Sequence, residues 1–360
     1  MRARRRSGPA LAVAVLALVT APSALAKLPP LPHGWPKVLQ IGLSESPGQH
    51  APVKLGFRYQ YLAGGVNTGK GWSTWNPNGT FASMYAQDSW AHGEIPVFSY
   101  YMLLQSNPAG GDEATTDLAH LQDPALMADY WADVKLLFQR IKGSKPVVVH
   151  VEPDLWGYLE KANATSLASS FAQQWVALRN QLAPNAILAY HMSGWGTKHD
   201  IVYEDPPDAT VKRYAAQSAA FYRSLHARFD IAFEDFSDRD ADYYAKVENN
   251  PNTWFTPADF HRHLLYGETF AKLAGIRIVP WQIPLGNLQQ NDTCNHYRDN
   301  RVQWLLGPGS RAHLKAYAAA GFAGFLFGAG AGCNTTAQTD GGYFYSRDRA
   351  YYAAGPLTLP

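Results

Sequence analysis

The chain has 360 residues, of which 46% are hydrophobic and 13% are aromatic, and its formal net charge is +2. This length suits one large domain or two small ones. The weak charge argues against a nucleic-acid partner, which would require a strongly basic surface.

The first residues are typical of a secretory signal peptide. Arginines within positions 2–6 precede an apolar run from Ala10 to Val19, and Ala24-Leu25-Ala26 offers a small-residue cleavage site. We therefore expect residues 1–26 to be removed and residues 27–360 to form a soluble protein that is secreted or periplasmic. Removal takes away four arginines and no acid, which changes the formal charge from +2 to −2. No later apolar segment is long enough for a membrane span.

Short β-type runs alternate with helical stretches along the rest of the chain. The predicted strands are Val38–Ser44, Arg58–Ala63, Ile95–Leu103, Pro146–Glu152, Ala186–Met192, Phe229–Asp235, Ile276–Gln282 and Ala323–Gly328. The predicted helices, whose apolar residues recur with a 3.6-residue period, are Asp123–Arg140, Ser166–Gln181, Thr210–Arg228, Thr256–Ala274 and Ser310–Ala320. This alternation predicts a single-domain (β/α)8 TIM barrel of the α/β class. The alternative is an open doubly wound sheet, but the first strand is not followed by its usual glycine-rich phosphate loop.

The fourth predicted strand carries the most distinctive sequence, from Val147 to Trp156. Four valines among five residues favour a buried strand, and alternation places His150, Glu152 and Asp154 on one face. Because a buried unpaired carboxylate is costly, this face should look into a polar cavity. Parallel α/β enzymes keep their chemistry at the carboxyl ends of their strands.

Paired acids at these strand ends point to glycoside cleavage. That reaction needs one carboxylic acid to protonate the leaving oxygen and a second carboxylate as nucleophile or base. Glu152 is the expected acid/base, assisted by Asp154, and the partner is Glu234 or Asp235. Adjacent strand residues point to opposite faces, so the sequence leaves open which of these two faces the cleft. Asp238, further along, is expected to be a solvated loop charge.

Aromatic and polar residues near the strand ends suit carbohydrate recognition, because aromatic faces stack on sugar C–H faces. The residues expected to bind sugar are Trp72, Trp75, Tyr100, Tyr101, His150, Trp156, His191, Trp195, Trp281, Gln282, Asn287, Asp299 and Arg301. For His150, which lies one layer deeper, an orienting hydrogen bond is the favoured role.

The segment from Val149 to Leu155 resembles the apolar-run-Glu-Pro-Asp signature of glycoside hydrolase family 6, the cellulases with a distorted barrel. The layout is also similar to the large clan of retaining glycosidases, which carry acid/base and nucleophile glutamates on strands four and seven. Glu152 matches the first glutamate, and Gln282 stands where the second is expected. The other family 6 signature, an Asp-Leu-Pro-x-Arg-Asp-Cys type segment, has no counterpart after Leu62. The resemblance implies a bacterial secreted barrel that hydrolyses a polysaccharide or oligosaccharide.

Two alternative functions rest on the same residues. His150, Glu152, Asp154 and His191 would ring a metal in a metal-dependent hydrolase or phosphodiesterase. A non-catalytic carbohydrate-binding barrel would explain the missing strand-seven glutamate. We expect no metal and no cofactor, a carbohydrate as the partner, and a monomer. The glycan, its linkage, endo or exo action and the anomeric outcome stay open.

The chain has two cysteines, Cys294 and Cys333, in separate late loops. In an oxidising compartment an even pair predicts a disulfide. This bond would tie together the loops that follow strands seven and eight.

Overall fold

The computed structural model describes residues 28–360. The predicted signal peptide, residues 1–26, lies outside the described residues. Among the described helices, none combines the length and the apolar character needed to cross a membrane.

Eight parallel strands form the core of the molecule. They are β1 Gln40–Ser44, β2 Phe57–Ala63, β3 Ile95–Tyr101, β4 Val147–Val151, β5 Ala186–Met192, β6 Ile231–Asp235, β7 Ile278–Trp281 and β8 Gly324–Phe327. Their order around the sheet is β7-β6-β5-β4-β3-β2-β1-β8. The two edge strands approach each other through the bridges Ile278–Phe322 and Ile283–Phe327. The predicted (β/α)8 barrel is therefore confirmed.

Helices cover the outside of the barrel. They are α1 Thr80–Ala91, α2 Glu113–Leu121, α3 Pro124–Ile141, α4 Leu155–Lys161, α5 Thr165–Leu182, α6 Asp208–Ser224, α7 Ala241–Val247, α8 Pro257–Ala274, α9 Arg301–Leu306, α10 Arg311–Ala320 and α11 Tyr343–Ala353. The five predicted helices correspond to α3, α5, α6, α8 and α10. N-terminal caps explain why the starts of α3 and α8 were predicted well. The Asp123 side chain accepts from two backbone N–H groups of α3, and Thr256 forms a capping box with Asp259 at the start of α8.

Inside the barrel, inward-facing side chains of different strands pack against one another. All five residues of β4 are buried, because one face of the strand looks inward and the other is covered by helices. The ring of His150 lies 4.7 Å from that of Phe233 and 4.8 Å from that of Trp281. These contacts show that His150 and Phe233 both point inward, which determines which alternate residues of β4 and β6 face the barrel interior.

The two ends of the described chain meet at the amino-terminal face of the barrel. The N–H of Leu39 donates to the carbonyl of Leu357 at 2.7 Å. Nε of Arg277, just before β7, donates to the Pro29 carbonyl at 2.6 Å, and its guanidinium also contacts the Pro360 carboxyl end. The opposite face, where the strands end, is left for the site.

Candidate active site

A cleft of about 650 Å³ opens at the carboxyl ends of the strands. This volume lies within the range of small-molecule and cofactor sites. The acidic and aromatic residues that line it include Tyr61, Tyr101, Glu113, Asp154, Tyr158, Trp195, Tyr203, Glu234, Asp235, Asp238, Tyr244 and Trp281.

Asp154 and Asp235 bring two carboxylates into this cleft from neighbouring parts of the barrel. Asp154 follows β4, and Asp235 is the last residue of β6. Because Phe233 points inward, strand alternation turns Asp235 inward too, which answers the question that the sequence left open. Glu234 points the other way and contacts His263 of α8, although it also borders the cleft.

The two aspartates influence each other's ionisation. Burial, followed by the charges of Glu113 and Asp238, raises the pKa of Asp154 to about 7. Burial, followed by the charges of Asp238 and Asp154, raises the pKa of Asp235 well above its usual value. Interacting carboxyl groups titrate as a pair, so one of the two retains a proton after the other has ionised. One acid and one carboxylate can therefore coexist near neutral pH.

Two buried histidines form a line beneath Asp154. The Ser99 hydroxyl lies 3.3 Å from Nδ1 of His150, and Nε2 of His150 lies 2.9 Å from Nδ1 of His191. Nε2 of His191 is 3.8 Å from Oδ1 of Asp154. Burial lowers the pKa of His191 to about 3 and that of His150 well below its usual value, so both rings are neutral. When the Ser99 hydroxyl and both Nε2–H groups donate upward along this line, an N–H faces the Asp154 carboxylate.

Glu152 lies outside the cleft, so its predicted inward orientation is wrong. Its φ of +41° breaks the strand alternation at the end of β4. The buried carboxylate instead accepts from the Tyr130 hydroxyl at 2.8 Å and from the backbone N–H groups of Met102 and Leu103 at 3.2 Å. The predicted ring of metal ligands around His150 and Asp154 is not assembled, since Glu152 is turned away from both.

Five of the residues expected to bind sugar do line the cleft, namely Tyr101, Trp195, Trp281, Gln282 and Arg301. His150 and His191 lie in the barrel interior below it. The other six are elsewhere and have structural partners: Trp72, Trp75, Tyr100, Trp156, Asn287 and Asp299.

Trp75 is exposed, whereas the outcome for the buried members of this set has a simple physical cause. Trp72 and Tyr100 both donate to Oδ1 of the buried Asp133, at 2.6 and 2.7 Å, behind the barrel wall. Asp299 accepts from the Arg301 guanidinium at 2.5 Å, so it neutralises a buried cation. Large polar side chains near a strand end thus pack between the barrel and the helices where a buried polar group there can form a hydrogen bond with them.

Several cleft residues were not predicted as site residues, among them Tyr61, Glu113, Tyr158 and Asp238. Alternation with the inward-facing Tyr59 was a usable signal for Tyr61. Glu113 begins α2, and it accepts from the hydroxyls of Tyr101 at 2.7 Å and Tyr158 at 3.4 Å. Asp238 is not a free loop charge, because it is bound by Arg239 and the Tyr244 hydroxyl at the cleft wall.

Non-glycine residues with positive φ mark the cleft floor. Asp154 has φ of +70° and Gln282 has φ of +54°. The Gln282 side chain accepts from the Tyr61 hydroxyl at 2.8 Å. Such backbone conformations persist where the surrounding structure holds them, and they concentrate at functional sites.

The structure carries Cys294 and Cys333 as free thiols rather than as the predicted disulfide. The two residues are nevertheless neighbours. The N–H of Asn295 donates to the Cys333 carbonyl at 2.6 Å, and the nearby Cys333 thiol raises the pKa of the Cys294 thiol. The predicted closeness of these two loops is therefore present without the bond.

No protein-family model matches the sequence, and no curated protein matches it. Glycoside hydrolase family 6 membership is thus not confirmed. The fold is similar to a modular endo-β-1,4-mannanase of glycoside hydrolase family 26 from Cellulomonas fimi, with a TM-score of 0.53 and 12% identity over 88% of this chain and 71% of that one. It is also similar to a family 26 β-mannanase from Bacteroides ovatus, with a TM-score of 0.50 and 13% identity over 88% of both chains. At this identity the likeness concerns the barrel fold.

Replacing Glu152 by Ala should destabilise the fold. The change leaves the Tyr130 hydroxyl and two buried backbone N–H groups without an acceptor, and we expect a loss of about 3 kcal/mol in the free energy of unfolding. Glu152→Gln retains one acceptor oxygen and should cost less. Urea denaturation measures both variants, with Asp129→Ala on the exposed face of α3 as the control. Equal stability of all three variants would contradict an anchoring role for Glu152.

Asp154 should make stability depend on pH. Below about pH 3 the group is mostly protonated in both states; as the pH rises towards 7 it ionises first in the unfolded chain, which lowers the stability of the native protein. Asp154→Asn removes this titration, so the variant should gain stability relative to the native chain from pH 4 to pH 8. After allowance for the partly exposed side chain we expect about 1 kcal/mol. Thermal unfolding across this range measures the gain, and parallel curves for the two proteins would show that the pKa is not raised.

Proposed function

We propose that the protein is a glycoside hydrolase in which Asp154 and Asp235 provide the two carboxyl groups. The observation that carries the proposal is the presence of two charge-coupled aspartates in one aromatic-lined cleft. Oδ1 of Asp235 has no hydrogen-bond partner among residues 28–360. Nε2 of the neutral His191 lies 3.8 Å from Oδ1 of Asp154. Groups that are costly to bury and are not used to stabilise the fold are candidates for chemistry.

The surroundings support different roles for the two aspartates. An N–H of His191 directed at Asp154 would favour its ionised form, as a nucleophile or as the base that activates water. Asp235, whose pKa is raised by burial and by the charges of Asp238 and Asp154, would hold the proton and deliver it to the leaving oxygen. The histidine line thus supports the carboxylate role for Asp154, and the acidic neighbours of Asp235 support the acid role for Asp235.

The cleft also has groups suited to binding a sugar. The rings of Tyr158 and Trp195 lie 4.8 Å apart at one wall, where they can present an aromatic face. Trp281 is 3% exposed, and its indole N–H has no partner within residues 28–360. A sugar hydroxyl is an acceptor that would satisfy this donor.

The proposal also includes that the substrate is a polysaccharide and that the protein is exported. The barrel likeness to two mannanases makes β-1,4-mannan the first substrate to test, beside other plant, fungal and bacterial glycans. Export is supported by the arginine-rich start and apolar run of the sequence.

Asp154→Asn and Asp235→Asn should each lower turnover on the responsive glycan by about 10²–10⁴-fold, the usual contribution of a positioned acid or base. Release of reducing ends from the glycan panel measures turnover, and circular dichroism confirms that the variants are folded. Asp129→Asn, an exposed carboxylate on α3, is the matched control and should keep full activity. Binding of a glycan without any turnover in the native protein would instead indicate a carbohydrate-binding barrel.

Aryl glycosides with good leaving groups separate the two roles. Asp235→Asn should lose little activity on such substrates, because their leaving oxygen needs no proton, whereas Asp154→Asn should lose activity on all of them. The reverse pattern would exchange the roles of the two aspartates. Equal losses on every substrate would show that neither group is a dedicated proton donor.

Export should leave two chemical marks on the protein made by a secreting host. Intact mass should show loss of residues 1–26, and Cys294 and Cys333 should resist alkylation until the protein is reduced. Protein made in a reducing cytoplasm is the control, in which both thiols should react, since Cys294 is exposed and Cys333 is half-buried. Full alkylation of the exported protein would rule out the disulfide.

A further inference from the structure

A cluster of acids and histidines lies away from the cleft, between the loop after β1 and the end of α1. It consists of Glu45, His50, Asp88, His92 and Glu94. One ligand atom from each of Glu45, His50 and Glu94 lies within 4.8 Å of the others, and the same holds for His50, Asp88 and His92. His50 belongs to both groups, so the two groups adjoin each other.

Two carboxylates of this cluster are buried without full hydrogen bonding. Glu45 is 4% exposed and Glu94 is 6% exposed. Oε2 of each has no hydrogen-bond partner among residues 28–360. Facing carboxylates in a buried site repel each other, and they require a proton or a cation between them.

Arg58 balances only part of this charge. Its guanidinium donates to Oδ2 of Asp88 at 2.6 Å and to the carbonyls of Ser46 and Gln49 at 2.7 and 2.8 Å. Its Nε is 3.5 Å from Oε2 of Glu45, too long for a well-formed hydrogen bond. One guanidinium beside three carboxylates leaves an excess of negative charge that a further cation would offset.

The histidines give the cluster nitrogen ligands. Nε2 of His50 lies 3.3 Å from Oδ2 of Asp88 and is therefore directed at the carboxylates of the cluster. Nδ1 of His92 lies 2.9 Å from the carbonyl of Asp88, and in the neutral tautomer that donates there Nε2 carries a lone pair. Carboxylate oxygens combined with imidazole nitrogens are the ligand set of zinc and related divalent ions.

We propose that Glu45, His50 and Glu94 bind a divalent transition-metal ion, for which Zn²⁺ is the best match, with Asp88 and His92 at the rim of the site. The ion would join the loop between β1 and β2 to the end of α1 and the start of β3. This role is structural and is independent of the proposed glycosidase chemistry. It replaces the sequence-based expectation that the protein binds no metal.

Zinc binding to chelator-treated full-length protein tests the proposal. Elemental analysis after dialysis against Zn²⁺ should give one ion per chain, and saturating Zn²⁺ should raise Tm by about 3 °C or more. His50→Ala, at a half-buried position that tolerates truncation, and Glu94→Gln should both abolish the stoichiometric zinc and the shift. His199→Ala is the matched control, because His199 pairs with Glu204 at 3.0 Å on an exposed loop without a third ligand, and it should keep both signals.

Two results would overturn the proposal. Absence of stoichiometric zinc and of any Tm shift in the native chain would mean that Glu45 and Glu94 share a proton instead. Zinc that stays bound in His50→Ala and Glu94→Gln would place the ion elsewhere in the protein. Either result leaves the activity tests of Asp154 and Asp235 unaffected.

Discussion

The packing of His150 against Phe233 and Trp281 inside the barrel is the contact on which the site depends. A closed barrel admits only alternate residues of each strand, so an interior contact between strands fixes the inward residues that follow for as long as the backbone keeps its β conformation. On β6 this brings Asp235 into the cleft and sends Glu234 to α8. The same interior layer carries the hydrogen-bonded line from Ser99 to His191, which ends beneath Asp154.

The turn after β4 decides which acid of the fourth strand reaches the cleft. Positive φ at Glu152 and again at Asp154 turns the first carboxylate into the wall and the second into the cavity. The wall then holds the turn in place, because Glu152 accepts three hydrogen bonds from Tyr130 and the backbone after β3. The buried, hydrogen-bonded carboxylate of Glu152 thus holds the backbone that positions Asp154, two residues later. The two acids of this turn therefore have different environments, and only Asp154 lines the cleft.

Strand periodicity was sufficient to predict the barrel, the strand ends and the general position of Asp154 and Asp235. The valines of β4 and the caps at Asp123 and Thr256 are local signals, and they act in the structure as the sequence suggests. The side-chain direction of Glu152 was beyond such reasoning, because alternation holds only while φ stays in the β region. The roles of Trp72 and Tyr100 depended on Asp133, which lies more than thirty residues away in α3 and which no local pattern connects to them. Glu113 was missed for the same reason.

The two sets of paired histidines in this protein differ in the use of their nitrogens. In the barrel interior His150 and His191 are joined end to end at 2.9 Å, so that each ring both accepts and donates and no lone pair is left for an ion. Such a line can reverse its hydrogen bonds when the carboxyl group above it gains or loses a proton, which suits a site that must exchange protons. At the outer cluster the rings of His50 and His92 stack face to face at 3.6 Å, so their nitrogens do not bond to each other and are available to the surrounding carboxylates. Similar residue types thus support the proposed proton exchange at one place and the proposed cation binding at the other, and the two places differ in whether the rings bond to each other.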